Sequence, residues 1–413
     1  MRATPSDDAH QSGLSHGNGR HAAPESDPAA ATSPIPGGPA DPPSGPGGKP
    51  PATGGARKKL LAAGAVVALI ALIGVIFAVT QGSDDETSSP TPSASAGEGS
   101  TGGTGTKFGV FRQTSADNVE AYQQWLGADV EYVVDFSARG TWDNIANPQY
   151  LFDEWADTPY RLVYGVPLLP TDVEGVSIQA GAAGDYNDYF RNLADNLVKA
   201  GQEDAVLRVG WEFNLESWKW ASDDAESWKA FYRNVVETMR SVDGAKFEFD
   251  WNVNGGPNKY DAANYYPGDD VVDYVGVDAY DVSGAAYPYP DDCDSACYVK
   301  AQKKAWDVSI YGGDRGLQYW SQFAKDHGKP LSIPEWGVWA RPDGIGGHDN
   351  PDYIQRMYDF ITDPANNVAY AAYFEYDYTD GQGGQHSLEN SFPNSAAKFK
   401  ELFVPLYQKA DGS

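Results

Sequence analysis

Between Lys107 and Tyr407, short apolar runs alternate with amphipathic stretches. The runs are KFGVF at 107, EYVVDF at 131, RLVYGVPL at 161, AVLRVGW at 205, KFEFDWNVN at 246, DYVGVDAY at 273, PLSIPEW at 330 and VAYAAYFEY at 368. Each has strand length and is rich in Val, Tyr, Phe and Trp, so eight buried strands are predicted. Between them the period changes to that of a helix. In 223–242, Trp228, Phe231, Tyr232, Val235 and Met239 fall on one face, and Asp223 with Glu226 has capping-box spacing. In 186–200, Tyr189, Leu193 and Leu197 do the same. Strands alternating with helices imply a parallel sheet. Eight such units in this length predict an α/β fold, a (β/α)8 TIM barrel over 107–410. A doubly wound open sheet is the structural rival.

The chain ahead of this region has a different texture. Residues 1–56 are rich in Pro, Gly and Ala with almost no large apolar residue, which predicts a disordered tail. Leu60 to Val79 is uncharged and almost wholly apolar, matching the ~20 residues a helix needs to cross a bilayer. Arg57, Lys58 and Lys59 precede it, and Asp84, Asp85 and Glu86 follow. The expectation is a single-pass anchor over 57–81, with its N-terminus in the cytoplasm and the barrel outside the cell membrane. A cleaved signal peptide is the alternative. Residues 82–106 are Ser, Thr, Gly and Pro and read as a flexible linker.

Charge narrows the partners. The net charge of −28 argues against nucleic acid, which needs clustered Lys and Arg, and suits a neutral glycan. The two cysteines, Cys293 and Cys297, lie outside the cytoplasm on this topology and are expected to form a local disulfide. Asp291, Asp292 and Asp294 beside them read as a solvated acidic loop, with calcium as the weaker reading. No metal or other cofactor is expected, and the chain is expected to act as a monomer.

The candidate chemistry lies at strand ends. Glu212 follows the fourth apolar run and Glu335 ends the seventh; Trp211, Trp218 and Trp220 surround the first, Trp336 and Trp339 the second. Two carboxylates at strand C-termini are what cleavage of a glycosidic bond requires: one protonates the leaving oxygen, and the other attacks or stabilises the anomeric carbon. Indole faces stack on pyranose rings. Flanking indoles would also desolvate Glu212 and raise its pKa. Trp218 and Trp220, separated by Lys219, would share a face in an extended loop and serve as platforms. Asp278 reads equally as a substrate contact or a structural cap. Asp250 and Asn252 share one side of a strand, and Glu375 and Asp377 stand beside aromatic rings as candidate sugar ligands. His386 sits in a glycine-rich segment, GQGGQHS, read as a loop over the mouth.

The stretch LRVGWEFNLESWKW, then DYVGVDAYD, then IPEWG resembles the acid/base, sixth-strand and nucleophile motifs of glycoside hydrolase family 26. The resemblance extends over about 107–405. That family comprises retaining barrel enzymes of clan A, among them β-mannanases and some β-glucanases and β-xylanases. It implies that Glu212 is the acid/base and Glu335 the nucleophile, that Asn214 and Trp220 shape the sugar subsites, that Tyr280 hydrogen-bonds the nucleophile, and that Arg208 lies beneath the carboxylates. Many mannanases of the family carry His directly before the acid/base. Here it is Trp211, which speaks against mannan without disturbing retention.

The leading expectation is therefore a membrane-anchored, endo-acting retaining β-glycosidase acting on β-mannan, β-glucan or β-xylan. A non-catalytic surface glycan-binding protein and a transglycosylase on the same residues are the alternatives.

Overall fold

The computed structural model describes residues 105–377 and 384–407. The expected tail, membrane helix and linker up to residue 104 lie outside them. Among the described residues no helix is long and apolar enough to cross a membrane.

Eight parallel strands close into a barrel in sequence order. They are β1 (Lys107–Phe111), β2 (Tyr132–Phe136), β3 (Arg161–Val166), β4 (Val206–Val209), β5 (Glu248–Asn254), β6 (Tyr274–Tyr280), β7 (Leu331–Gly337) and β8 (Val368–Phe374). All eight expected runs are strands, and β1 pairs with β8 to close the ring. The open-sheet rival is thereby excluded.

Helices wrap the outside: α1 (Ala116–Leu126), α2 (Trp142–Ala146), α3 (Gln149–Trp155), α4 (Ile178–Ala182), α5 (Asn187–Lys199), α6 (Ala225–Arg240), α7 (Ser295–Ala305), α8 (Leu317–Asp326), α9 (Pro351–Thr362) and α10 (Pro393–Tyr407). The crossover after β5 carries only a single 3-10 turn, Ala262–Tyr265. Both sheet faces are thus covered, which is why the strands are buried on both sides.

Three expectations shift locally. The α6 cap is Asp224 rather than the pair Asp223 and Glu226; its side chain accepts from the Ser227 N–H at 3.0 Å. On α5 the buried face is Phe190, Leu193, Ala194 and Leu197, while Tyr189 is exposed and stacks on Trp142. The fourth strand stops at Val209, two residues short of Trp211, because Gly210 turns to φ +59° and Glu212 to φ +50°. Left-handed backbone cannot continue a strand, and for a non-glycine residue it costs roughly 1–2 kcal/mol.

The barrel interior is polar in its upper half. The Asp250 carboxylate of β5 accepts from Ser332 Oγ at 2.6 Å and from the Tyr370 hydroxyl. Gly276 makes room for it: a Cβ there would lie 2.1 Å from Asp250 Oδ1. Above this layer Arg208, Asn252, Asp278 and Glu335 meet, brought in by β4 to β7.

Strand β7 breaks the simple alternation. Its register slips against β8 between Ile333 and Trp336, and against β6 between Gly276 and Ala279. Ser332 and Glu335 are three apart, yet both point into the barrel. An irregularity of this kind re-aims a side chain at a barrel rim, and Pro334, which has no N–H to donate, stands inside it.

Candidate active site

Glu212 sits in the turn after β4, and the neighbouring strand fixes its backbone. Its N–H donates to Asn252 O at 3.1 Å, and its carbonyl accepts from Leu215 N at 2.9 Å. The carboxyl is equally constrained: Asn254 Nδ2 donates to Oε1 at 2.6 Å, and Trp218 Nε1 approaches Oε2 at 3.4 Å. Burial, and then the negative charge of Glu335, push its pKa up to about 8, against the weaker pull of Asn254, Arg208 and Trp218. Glu212 is therefore a protonated acid at neutral pH.

Glu335 is held differently. Arg208 Nη2 donates to its Oε1 at 2.6 Å, and the Tyr280 hydroxyl donates to its Oε2 at 2.7 Å. A cation on one oxygen and a phenol on the other fix the direction of the carboxyl group. Arg208 is fully buried and also donates to Asp278 at 2.6 Å and Asn252 at 2.8 Å. Burial raises the pKa of Asp278, as do the charges of Glu335 and Glu212, while Arg208 opposes them. Asn252 Nδ2 donates to the other Asp278 oxygen at 3.0 Å. Asp278 is thus a partner of Arg208 inside the barrel. Burial and the adjacent Glu335 raise the Tyr280 pKa, so the phenol stays a proton donor.

Glu212, Asn254, Asp278, Tyr280, Glu335 and Trp339 line one cleft, with Ser309 and Ile310 among its other walls. The last two belong to a single π-turn, Trp306–Ile310, closed by Tyr311 N donating to Trp306 O at 3.0 Å. Such turns recur where a backbone bends around a site.

The remaining candidates divide by direction. Trp218 and Trp220 do share a side, but they stack on each other at 4.7 Å, leaving Trp220 fully buried. Trp211 packs against both and against Phe136, and its carbonyl accepts from Trp220 Nε1. Trp211 and Trp220 are thus supports with no face free for a sugar; only Trp218 reaches the Glu212 carboxyl. Asn214 is also not at the cleft. Its side chain clamps the Asn254 backbone, donating to the carbonyl at 2.8 Å and accepting from the N–H at 3.0 Å.

Trp336 points outward, because the slip that turns Glu335 inward turns its neighbour away. Its ring packs on Phe399 and Phe403 of α10. Glu375 is buried, with its oxygens taken by Ser387 Oγ at 2.6 Å and Leu388 N at 2.9 Å, and burial raises its pKa to about 7. It ties the segment after β8 to the barrel through these bonds. That segment carries His386, which is fully buried beside Trp339 and Tyr280. Asp377 accepts from Asn390 Nδ2 at 3.0 Å. Cys293 and Cys297 are joined by a disulfide just before and within the first turn of α7.

Asn254 and Trp339 belong to the site, although the sequence ranked neither as a ligand. Asn254 had a signal in its polar position at the end of β5. Arg341, also on the cleft wall, had only its place in the loop beyond β7.

The model of the family described as Glycosyl hydrolase family 26 matches residues 176–306, a span that includes β4 to β6 and the Glu212 turn. Over that span the chain is similar to glycosyl hydrolase family 26. A β-1,3-xylanase from Alcaligenes sp. is 28% identical to this chain over 179 residues, 41% of this chain and 31% of that one. Endoglucanase H from Acetivibrio thermocellus is 23% identical over 312 residues, 72% and 30% of the two chains. The chain thus spans about a third of the length of the curated relatives it matches. Among solved structures, GH26C from Muricauda sp. MAR_2010_75 superposes with a TM-score of 0.50 at 14% identity, covering 72% of this chain and 85% of that one, which shows a shared fold.

Proposed function

We propose that this protein is an endo-acting, retaining β-glycosidase that hydrolyses a β-linked polysaccharide outside the cytoplasm. The observation that carries the reading is the contrast between two carboxyls lining one cleft: Glu212 is held as the acid, and Glu335 is oriented by Arg208 and Tyr280. Environments that separate two carboxyls in this way divide the roles of a glycosidase.

In the first step Glu212 gives its proton to the glycosidic oxygen as Glu335 attacks the anomeric carbon. The C–O bond to the leaving sugar breaks, and a bond from the sugar to Glu335 forms. Glu212, now a carboxylate, takes a proton from water; the hydroxide attacks the same carbon, and Glu335 leaves. Two displacements return the original configuration. Tyr280 and Arg208 hold Glu335 through both.

The substrates proposed are β-xylan, β-glucan and β-mannan. The names of the matched relatives support the first two, and Trp211 in the place of the mannanase His weighs against the third. The apolar run Leu60–Val79 with its basic flank supports a membrane anchor that holds the barrel on the outer side, near a surface glycan. The test is incubation of the full chain with β-mannan, β-glucan, β-1,3-xylan and β-1,4-xylan, beside Glu212→Ala and Glu335→Ala. Oligosaccharides released by the parent and by neither variant are expected. Release undiminished in both variants contradicts the assignment.

A further inference from the structure

Arg341 lies in the turn that follows β7, on the wall of the cleft that holds Glu212 and Glu335. Its side chain is only 7% exposed. Its guanidinium lies 4.3 Å over the ring of Trp339, another cleft residue. Asp343 grips one edge of the fork: Nε donates to Oδ1 at 3.0 Å and Nη2 to Oδ2 at 2.7 Å. The turn itself is tied, with Gly344 N donating to Arg341 O at 3.0 Å and Ile345 N to Asp343 Oδ1 at 3.2 Å. Ala340 pairs with Gln385 on the other side. Against this built support, Arg341 Nη1 is buried and has no hydrogen-bond partner among the described residues.

A buried donor without an acceptor is costly, and a fork fixed on one edge has a single direction left for the other. Stacking on Trp339 and pairing with Asp343 account for Nε and Nη2 but not for Nη1. We propose that Arg341 is a specificity-determining residue whose Nη1 donates a hydrogen bond to a hydroxyl or ring oxygen of a neutral β-linked pyranose, in a subsite adjoining the reaction centre. The expected partner is neutral because Asp343 already balances the guanidinium charge, leaving a directional donor and no spare cation. The proposal rests on the glycosidase reading and deepens it by naming a residue that recognises the sugar.

The test compares the full chain with Arg341→Met, whose apolar stem still covers Trp339 but has no donor. A second variant, Arg341→Lys, keeps the charge without the fork, in case the first does not fold. Each is assayed on an aryl monoglycoside and on a ladder of cello-, manno- and β-1,3-xylo-oligosaccharides. For the oligosaccharides, kcat/KM is expected to fall about tenfold to a hundredfold, the loss of one charge-assisted hydrogen bond. For the aryl monoglycoside, which carries a single sugar, the loss is expected to be smaller. An equal loss on both substrate types, or none on either, overturns the proposal. Should the parent cleave nothing, the glycosidase reading fails, and calorimetric binding of the same oligosaccharides decides the subsite by itself. Weaker binding by Arg341→Met upholds it; equal binding, or none to either protein, overturns it.

Discussion

Asn254 holds Glu212 by one hydrogen bond of 2.6 Å, and its own backbone is clamped from both sides by Asn214. The donated N–H favours the ionised form of Glu212 and so works against the burial that raises its pKa. Asn254→Ala is therefore expected to raise the pKa of the acid and move the alkaline limb of the pH–rate profile upward. Asn214→Ala, acting through Asn254, is expected to move it the same way by a smaller amount. A limb that stays in place or moves down in Asn254→Ala contradicts the assignment of Glu212 as the acid.

Activity is expected to fall as pH rises through about 8, where Glu212 loses its proton. Stability is expected to move in the same direction. Glu212, Glu375 and Asp135 are raised to about 8, 7 and 7, and Asp250 and Asp281 to about 6, each by burial first. Between the ordinary carboxyl range near pH 4 and those values, the folded chain binds more protons than the unfolded one, so stability falls as pH rises through that window. Thermal unfolding at pH 5 and pH 8 checks the sign: the midpoint is expected to be higher at pH 5.

Arg208 is a buried cation shared by Asp278 and Glu335. Arg208→Met leaves both carboxylates without it and is expected to cost about 3–5 kcal/mol of stability as well as activity. Adding Asp278→Asn removes one stranded charge. It is expected to recover part of the stability in a denaturant titration and none of the activity. Recovery of activity in the double variant would show that Arg208 serves only to neutralise Asp278.

The two tryptophans Trp218 and Trp336 are expected to behave in opposite ways. Trp336→Ala opens a hole against Phe399 and Phe403 and is expected to cost ~3–5 kcal/mol while leaving KM of the folded fraction unchanged. Trp218→Phe keeps the stack on Trp220 but removes the N–H near Glu212, so its effect is expected in kcat/KM, with stability nearly preserved. Chemical unfolding beside steady-state kinetics separates them.

The barrel was legible because its strands are covered on both faces and so read as predominantly apolar runs, most of them followed by a helical period. Glu212 and Glu335 were legible as carboxyls at the ends of such runs. What the pattern did not carry was side-chain direction. Strict alternation along PLSIPEW does not reveal the slip that brings both Ser332 and Glu335 inward and sends Trp336 out to α10. Indoles near a carboxylate in sequence read as platforms, yet Trp211 and Trp220 are consumed in packing the turn that bends at Gly210 and Glu212. Glu375 read as a ligand because its role, capturing Ser387 and Leu388, depends on a partner a dozen residues on. Arg341 has no such signal, because a lone arginine in a loop follows no period; its meaning lies in the burial of one nitrogen.

The most direct test of the central claim is to trap the glycosyl-enzyme. The full chain is incubated with an activated 2-deoxy-2-fluoro β-glycoside of the sugar it cleaves, digested, and the modified peptide sequenced by mass spectrometry. The account predicts one stoichiometric adduct, an ester on Glu335 within the segment LSIPEWG. An adduct on Glu212 or any other residue, or turnover with inverted configuration and no adduct, would contradict it.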